Sequence, residues 1–171
     1  MILATGACNL IYVDRAVKAV EEEGNEDLIL MHCVSSYPTQ PQDANLRVMD
    51  TLAKKFNCPV GFSDHTIGLD VPISAVARGA SIIEKHYTLS RKLTGPDHGF
   101  AIEPNELKEL ISRIRDVEKS LGSPEKVFID GAEDQEYIVR LFAKEDIGIG
   151  SKITREQIVV KRSNQGLLPT N

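Results

Sequence analysis

The spacing of apolar and polar positions along this chain shifts repeatedly between two periods, and the shifts mark out alternating strands and helices. Met1–Thr5 (MILAT) is a short apolar run of strand type. Residues 13–24 (VDRAVKAVEEEG) follow with helical spacing, with Asp14 near the start and Gly24 as the stop. Asp27–Val34 (DLILMHCV) is almost continuously apolar, the pattern of a parallel strand covered on both faces. The loop SSYPTQPQD carries two prolines, and Asp43 is placed to cap a helix over residues 44–57. Cys58–Ser63 reads as a third strand, Val71–Arg78 as a third helix and Ser81–His86 as a fourth strand. In Asn105–Leu121, the residues Leu107, Leu110, Ile111, Ile114, Val117 and Leu121 form a stripe at helical spacing. Strands and helices in strict alternation predict an α/β fold built on a parallel sheet.

After Gly122 the texture changes. Residues 123–136 hold turn and acidic residues without a helical period and read as a linker. Residues 137–171 read as two extended pieces around a turn at Gly148 and Gly150, with Thr154 opening a single helical turn. That tail is too small to bury a core of its own.

Charge and composition narrow the function classes. The chain has 171 residues and a formal charge of −5, without the basic patch that nucleic-acid binding needs. No apolar run approaches the ~20 residues of a membrane span, and MILATGACNL lacks the positive leader of a signal peptide. Three cysteines, Cys8, Cys33 and Cys58, make an odd number with no CxxC pair, which argues against a disulfide framework. The expectation is a cytoplasmic globular protein with no nucleic-acid or membrane partner.

Candidate chemistry gathers at strand ends. With a period of two, Gly61, Ser63 and His65 share one face of the third strand, and Ile82, Glu84 and His86 share one face of the fourth. Adjacent strands lie about 4.8 Å apart, so the two imidazoles can converge on one divalent cation at roughly 2.1 Å each. By spacing alone, core or surface roles for His65 and His86 stand beside the metal reading. Ser35, Ser36 and Tyr37 follow the second strand, and Asp97 and His98 lie in the loop after the fourth. Small hydroxyls at strand ends suit a phosphate, and a nearby carboxylate suits a sugar hydroxyl or a proton transfer.

Plainer roles accompany these. His32, inside an apolar strand, reads as a core histidine bonded to backbone. Asp64 is placed to cap the next helix, Glu84 to pair with a cation, and His98 to be an exposed loop residue. Neither a GxGxxG nor a GxxxxGK[ST] phosphate loop is present, and GxSxG is absent.

Several segments carry a resemblance: LMHCVSSYPTQPQDANL, GFSDHTIG, IIEKHYTLSRKLTGPDH and FAIEPNEL. In order and spacing they resemble the sialic acid (N-acetylneuraminate) synthase family, which includes spore-coat polysaccharide synthesis members. The tail LFAKEDIGIGSKITREQIVVKRSNQG resembles the opening of the antifreeze-like domain of those enzymes. The resemblance implies a TIM-type (β/α)8 barrel, of which residues 1–122 would be the second half, four βα units, with residues 137–171 as an incomplete antifreeze-like segment. It implies condensation of phosphoenolpyruvate with the open-chain aldehyde of an N-acetylated amino sugar such as N-acetylmannosamine, with release of phosphate.

On this match His65 and His86 are ligands of a divalent metal, most often Mn2+, with Mg2+ or Co2+ as alternatives. Ser63 and Ser35 fall at phosphoenolpyruvate positions. Glu84 and Asp97 fall at residues that hold the sugar's hydroxyls, Tyr37 beside that sugar, and Arg162 at an arginine reaching it from a neighbouring subunit. The phosphoenolpyruvate-binding lysines of the family would lie in the other barrel half. A homodimer, or pairing with that half, is therefore expected, and the isolated chain is expected to be inactive. Two other classes stay open: a metal-dependent aldolase or hydrolase on a similar barrel, and a non-catalytic binding or regulatory remnant. An aldolase would need a Schiff-base lysine, and Lys85 is the candidate, facing away from the histidines.

Overall fold

The computed structural model describes residues 1–126, 138–163 and 165–169. It falls into two compact units, residues 1–122 and 123–171. The first is a mixed α/β unit with a four-stranded parallel sheet. Its strands are β1 (Ile2–Ala4), β2 (Ile29–Cys33), β3 (Val60–Asp64) and β4 (Ile83–Lys85), paired in the order β1-β2-β3-β4. Helices α1 (Leu10–Glu22), α2 (Val48–Phe56) and α3 (Asp70–Ala77) join successive strands, and α4 (Pro104–Leu121) follows the last.

The helix-facing side of the sheet is the hydrophobic core. Leu30, Val60 and Phe62 from β2 and β3 pack with Val13 and Val17 of α1, Met49 and Leu52 of α2 and Ala75 of α3. Each large apolar side chain buried this way contributes roughly 1.5–3 kcal/mol. The opposite face of β3 begins at Gly61, where a Cβ would stand 2.8 Å from the carbonyl oxygen of Ile82 and would collide with Met31 Sδ. A bare backbone there lets β3 lie close to both neighbours.

Helix boundaries depart from the pattern reading where side-chain chemistry intervenes. Helix α1 starts at Leu10, three residues before the period predicts, because the Asn9 side chain accepts a hydrogen bond from the Ile11 amide at 3.0 Å. Asp43 caps no helix. It ends a 3-10 turn over Pro41–Asp43, Asn45 takes a left-handed φ of 45°, and α2 begins only at Val48. Helix α4 has Pro104 in its first turn and a reciprocal Glu103–Glu106 capping box. Of its apolar stripe Leu110 is buried, while Ile111 and Leu121 are exposed.

In the second unit, β5 (Val139–Ala143) and β6 (Ile158–Arg162) form an antiparallel pair, and Thr154 caps a 3-10 turn over Arg155–Gln157. The linker reading over 123–136 lies outside the described residues from 127 onward.

Candidate active site

Register decides which side chains meet at the C-terminal edge of the sheet. Ser63 is paired with Glu84 and Asp64 with Lys85, so the residues after them, His65 and His86, leave the sheet side by side. Alternation sends Ser63, His65, Glu84 and His86 to one face and Asp64 and Lys85 to the other. The Ser63 hydroxyl donates to Glu84 Oε1 at 2.6 Å, and the two imidazole rings stand 5.3 Å apart, nearly perpendicular.

His65 is held at three points. Its Nδ1 lies 2.8 Å from the carbonyl oxygen of Val34, its own carbonyl accepts from the Thr39 amide at 2.9 Å, and the Tyr37 ring lies 4.3 Å from its centroid. A carbonyl only accepts, so Nδ1 carries the proton and the Nε2 lone pair of the neutral ring is free. Nε2 faces Ser63 Oγ at 3.4 Å, and that hydroxyl has given its single proton to Glu84. In that neutral tautomer Nε2 is the nitrogen of His65 able to face a cation.

The Phe100 ring packs at a tilt against His86, 4.9 Å away, and the His86 carbonyl accepts from the Ile102 amide at 2.9 Å. Asp97 Oδ2 lies 3.5 Å from His86 Nδ1, longer than a good hydrogen bond. Two histidine nitrogens with open positions beside them fit a divalent cation that accepts imidazole and fills its remaining positions with water or oxygen ligands, Mn2+ better than Mg2+. Among the described residues no group of three or more His, Cys, Asp or Glu side chains is placed to hold a metal ion together.

Six of the eight candidates thus come together: Tyr37, Ser63, His65, Glu84, His86 and Asp97. Ser35 does not join them by any hydrogen bond among the described residues. It packs against Gly6, where a Cβ would meet Ser35 Oγ at 2.7 Å, and it borders a cavity of about 820 Å³ with Thr5, Asn9 and His32. Arg162 ends β6 in the second unit and is exposed.

The remaining histidines separate. His32 is buried, its Nε2 bonded to the Ala44 carbonyl at 2.8 Å, and desolvation holds its pKa below the ordinary value. His98 is half-buried and bonded through Nδ1 to Thr88 Oγ1 at 2.7 Å, so it is not the free loop residue expected. Asp64 caps no helix: its Oδ1 accepts from the Thr66 amide at 2.9 Å and its Oδ2 from Lys85 Nζ at 2.5 Å. Glu84 pairs with no lysine. Two contributors escaped the sequence reading. Phe100 carried no signal beyond its place in FAIEP, and the Val34 carbonyl is invisible to any side-chain pattern.

A parallel α/β unit with a histidine–carboxylate cluster at its strand ends is the architecture of an enzyme domain that works at the C-terminal edge of a sheet. Over residues 1–126 the sequence matches the NeuB family, and the chain belongs to that family. It is 42% identical to the N,N'-diacetyllegionaminic acid synthase of Legionella pneumophila, over 99% of this chain and 49% of that protein. Among solved structures it is similar to the N-acetylneuraminic acid (sialic acid) synthetase of Leptospira borgpetersenii, with TM-score 0.71 and 39% identity over 77% of this chain and 46% of that one. It is also similar to a spore coat polysaccharide biosynthesis protein of Bacillus subtilis, with TM-score 0.69 and 34% identity over 95% of this chain and 50% of that one. The chain spans about half the length of the curated relatives it matches. Among the described residues no helix is long and apolar enough to cross a membrane.

Proposed function

We propose that this chain carries the metal- and sugar-binding half of a nonulosonic acid synthase. That enzyme condenses phosphoenolpyruvate with the open-chain aldehyde of an N-acetylated amino sugar and releases phosphate. The observation that carries the reading is the single cluster formed by Ser63, Glu84, His65 and His86, in a chain of the NeuB family whose relatives are synthases.

In this reading His65, through Nε2, and His86 hold a divalent ion, Mn2+ or a substitute such as Mg2+ or Co2+. When bound, the ion supplies Lewis acidity at the aldehyde oxygen. Ser63, which donates to Glu84 in the free chain, turns its hydroxyl to donate to an oxygen of phosphoenolpyruvate. Glu84 and Asp97 accept hydrogen bonds from the sugar's hydroxyls, with Tyr37 and Phe100 walling the site on the side of the rings. Ser35 contributes from the edge of its cavity, and Arg162 reaches the sugar in a neighbouring subunit's site. The fold completing this arrangement is a TIM-type barrel, with residues 1–122 as its second half and the β5–β6 unit as the opening of an antifreeze-like domain.

Phosphoenolpyruvate brings close to three negative charges, and its binding needs cations to offset lost hydration. The lysine at the strand ends, Lys85, is committed to Asp64 on the far face. The synthase therefore works as an assembly in which this chain is completed, in cis or in trans, by the part corresponding to the relatives' other half. Alone it is expected to release no phosphate. Joined to that part, it is expected to release phosphate only with both substrates and Mn2+ present. For the metal, calorimetry or water-proton relaxation should show Mn2+ binding by the chain and its loss in His65→Ala and His86→Ala. Unchanged binding in the double variant would refute the ligand assignment.

A further inference from the structure

We propose that Asp64 and Lys85 act as positioning residues, a buried clamp that sets the relative placement of His65 and His86. The proposal rests on the assignment of those two histidines as metal ligands. Its observations lie on the opposite face of the sheet from the site.

Asp64 and Lys85 are the last residues of β3 and β4 and are partners in register. The ladder between these strands ends with them, so the histidines sit one residue past the last backbone pairing. The Tyr37 ring lies against both imidazoles without fixing either by a hydrogen bond, and the hydrogen bonds of the two histidines to backbone groups lead away from each other. His65 is bonded to Val34 and Thr39 after β2, and the His86 carbonyl to Ile102 before α4. Ser63 and Glu84 do link the strands on the site face, but one step earlier, where the ladder already holds them.

Lys85 bridges the gap. Its Nζ donates to Asp64 Oδ2 at 2.5 Å and to the carbonyl oxygen of Thr66 at 2.7 Å. Asp64 Oδ1 in turn accepts from the Thr66 amide. One ammonium on the strand that carries His86 thus grips the residues on both sides of His65. The side chains of Lys85 and Asp64 are 5% and 0% exposed, so water offers neither a substitute partner. Moving His65 relative to His86 would break a charged contact inside the protein. An apolar pair of similar volume would fill the same space, often at no loss of stability. What it could not do is hold the Thr66 carbonyl, and that difference separates positioning from mere stability.

The test uses the 171-residue chain, first without metal. In the 15N-labelled parent, the Nδ1–H of His65, bonded to Val34, is read by NMR, and the Nε2–H of His32, bonded to Ala44, serves as the control for the fold. Mn2+ affinity is read separately by water-proton relaxation. In Asp64→Leu/Lys85→Met the His32 signal should persist, while the His65 signal is lost to exchange and Mn2+ affinity falls about 10-fold or more, the usual effect of losing an outer partner of a metal ligand. A milder variant, Asp64→Asn/Lys85→Met, keeps an acceptor for the Thr66 amide and removes the bridge from β4. The same two losses are expected there. Parent values of both readouts in a folded variant overturn the clamp. So does loss of the His32 signal in both variants, which would assign the pair to stability alone. Failure of the parent chain to bind Mn2+ would instead overturn the ligand assignment, and the His65 signal would still judge the clamp.

Discussion

Two histidines on neighbouring strands make nearly the same bond and sit in opposite surroundings. His32 and His65 each place one ring nitrogen 2.8 Å from a backbone carbonyl. His32 points to the helix-facing side of the sheet, among Phe62 and the 3-10 turn, and burial disfavours its charged form. His65 points to the other side, where its second nitrogen meets Ser63 and its neighbour is another histidine. On the helix face His32, Asp64 and Lys85 find partners inside the protein, while the buried Thr66 hydroxyl has none among the described residues. On the site face the carboxylates of Glu84 and Asp97 are exposed. A histidine's role is therefore read from what its second nitrogen meets.

The largest expected break in this contrast is Lys85→Met alone, which leaves the Asp64 carboxylate buried without a counter-ion. Urea unfolding should show a loss of about 3–5 kcal/mol. Next is Gly61→Ala, which forces a methyl group against Met31 and the Ile82 carbonyl and should cost about 1–3 kcal/mol by the same measurement. On the site face, Ser63→Ala removes a half-open hydrogen bond and should cost only about 1 kcal/mol, while Mn2+ titration should report the altered surroundings of His65 and Glu84.

The smallest effect is a pH dependence. The folded pKa of His32 lies below its ordinary value of 6.5 because burial penalises the charged ring. The unfolded chain then binds more protons, so stability should fall as pH drops below about 6.5 and level off under the folded value. Glu106 acts in a lower window. The Arg91 guanidinium holds its pKa under the ordinary 4.5, so its contribution is present above that value and is lost as pH falls through the folded one. Stability curves against pH for the parent and for His32→Gln should differ in the upper window and agree in the lower.

Much of this was legible before any coordinates, for a geometric reason. A period of two in β3 and β4 is enough to place Ser63, His65, Glu84 and His86 on one face and Lys85 on the other. The same pattern shows that Asp64 shares Lys85's face, yet Asp64 read as a helix cap, because a local capping role is always available to an aspartate near a helix start. What the pattern cannot express is a partner 21 residues away on another strand. Asp43 fails similarly: Asn45 breaks the backbone after it, and no periodicity in residues 44–57 records that turn. Backbone acceptors such as Val34 leave no trace in residue identities at all.

The strict alternation at the ends of β3 and β4 also constrains how the gene for this domain can change. Substitutions on one face leave the other face in place. Insertion or deletion of a single codon within either strand exchanges the faces, turning His65 or His86 toward the helices and Asp64 or Lys85 toward the candidate site. Length along these two strands is thus under tighter restriction than composition. Sequence drift in relatives should show here as replaced letters in an unchanged frame, with gaps confined to the loops on either side.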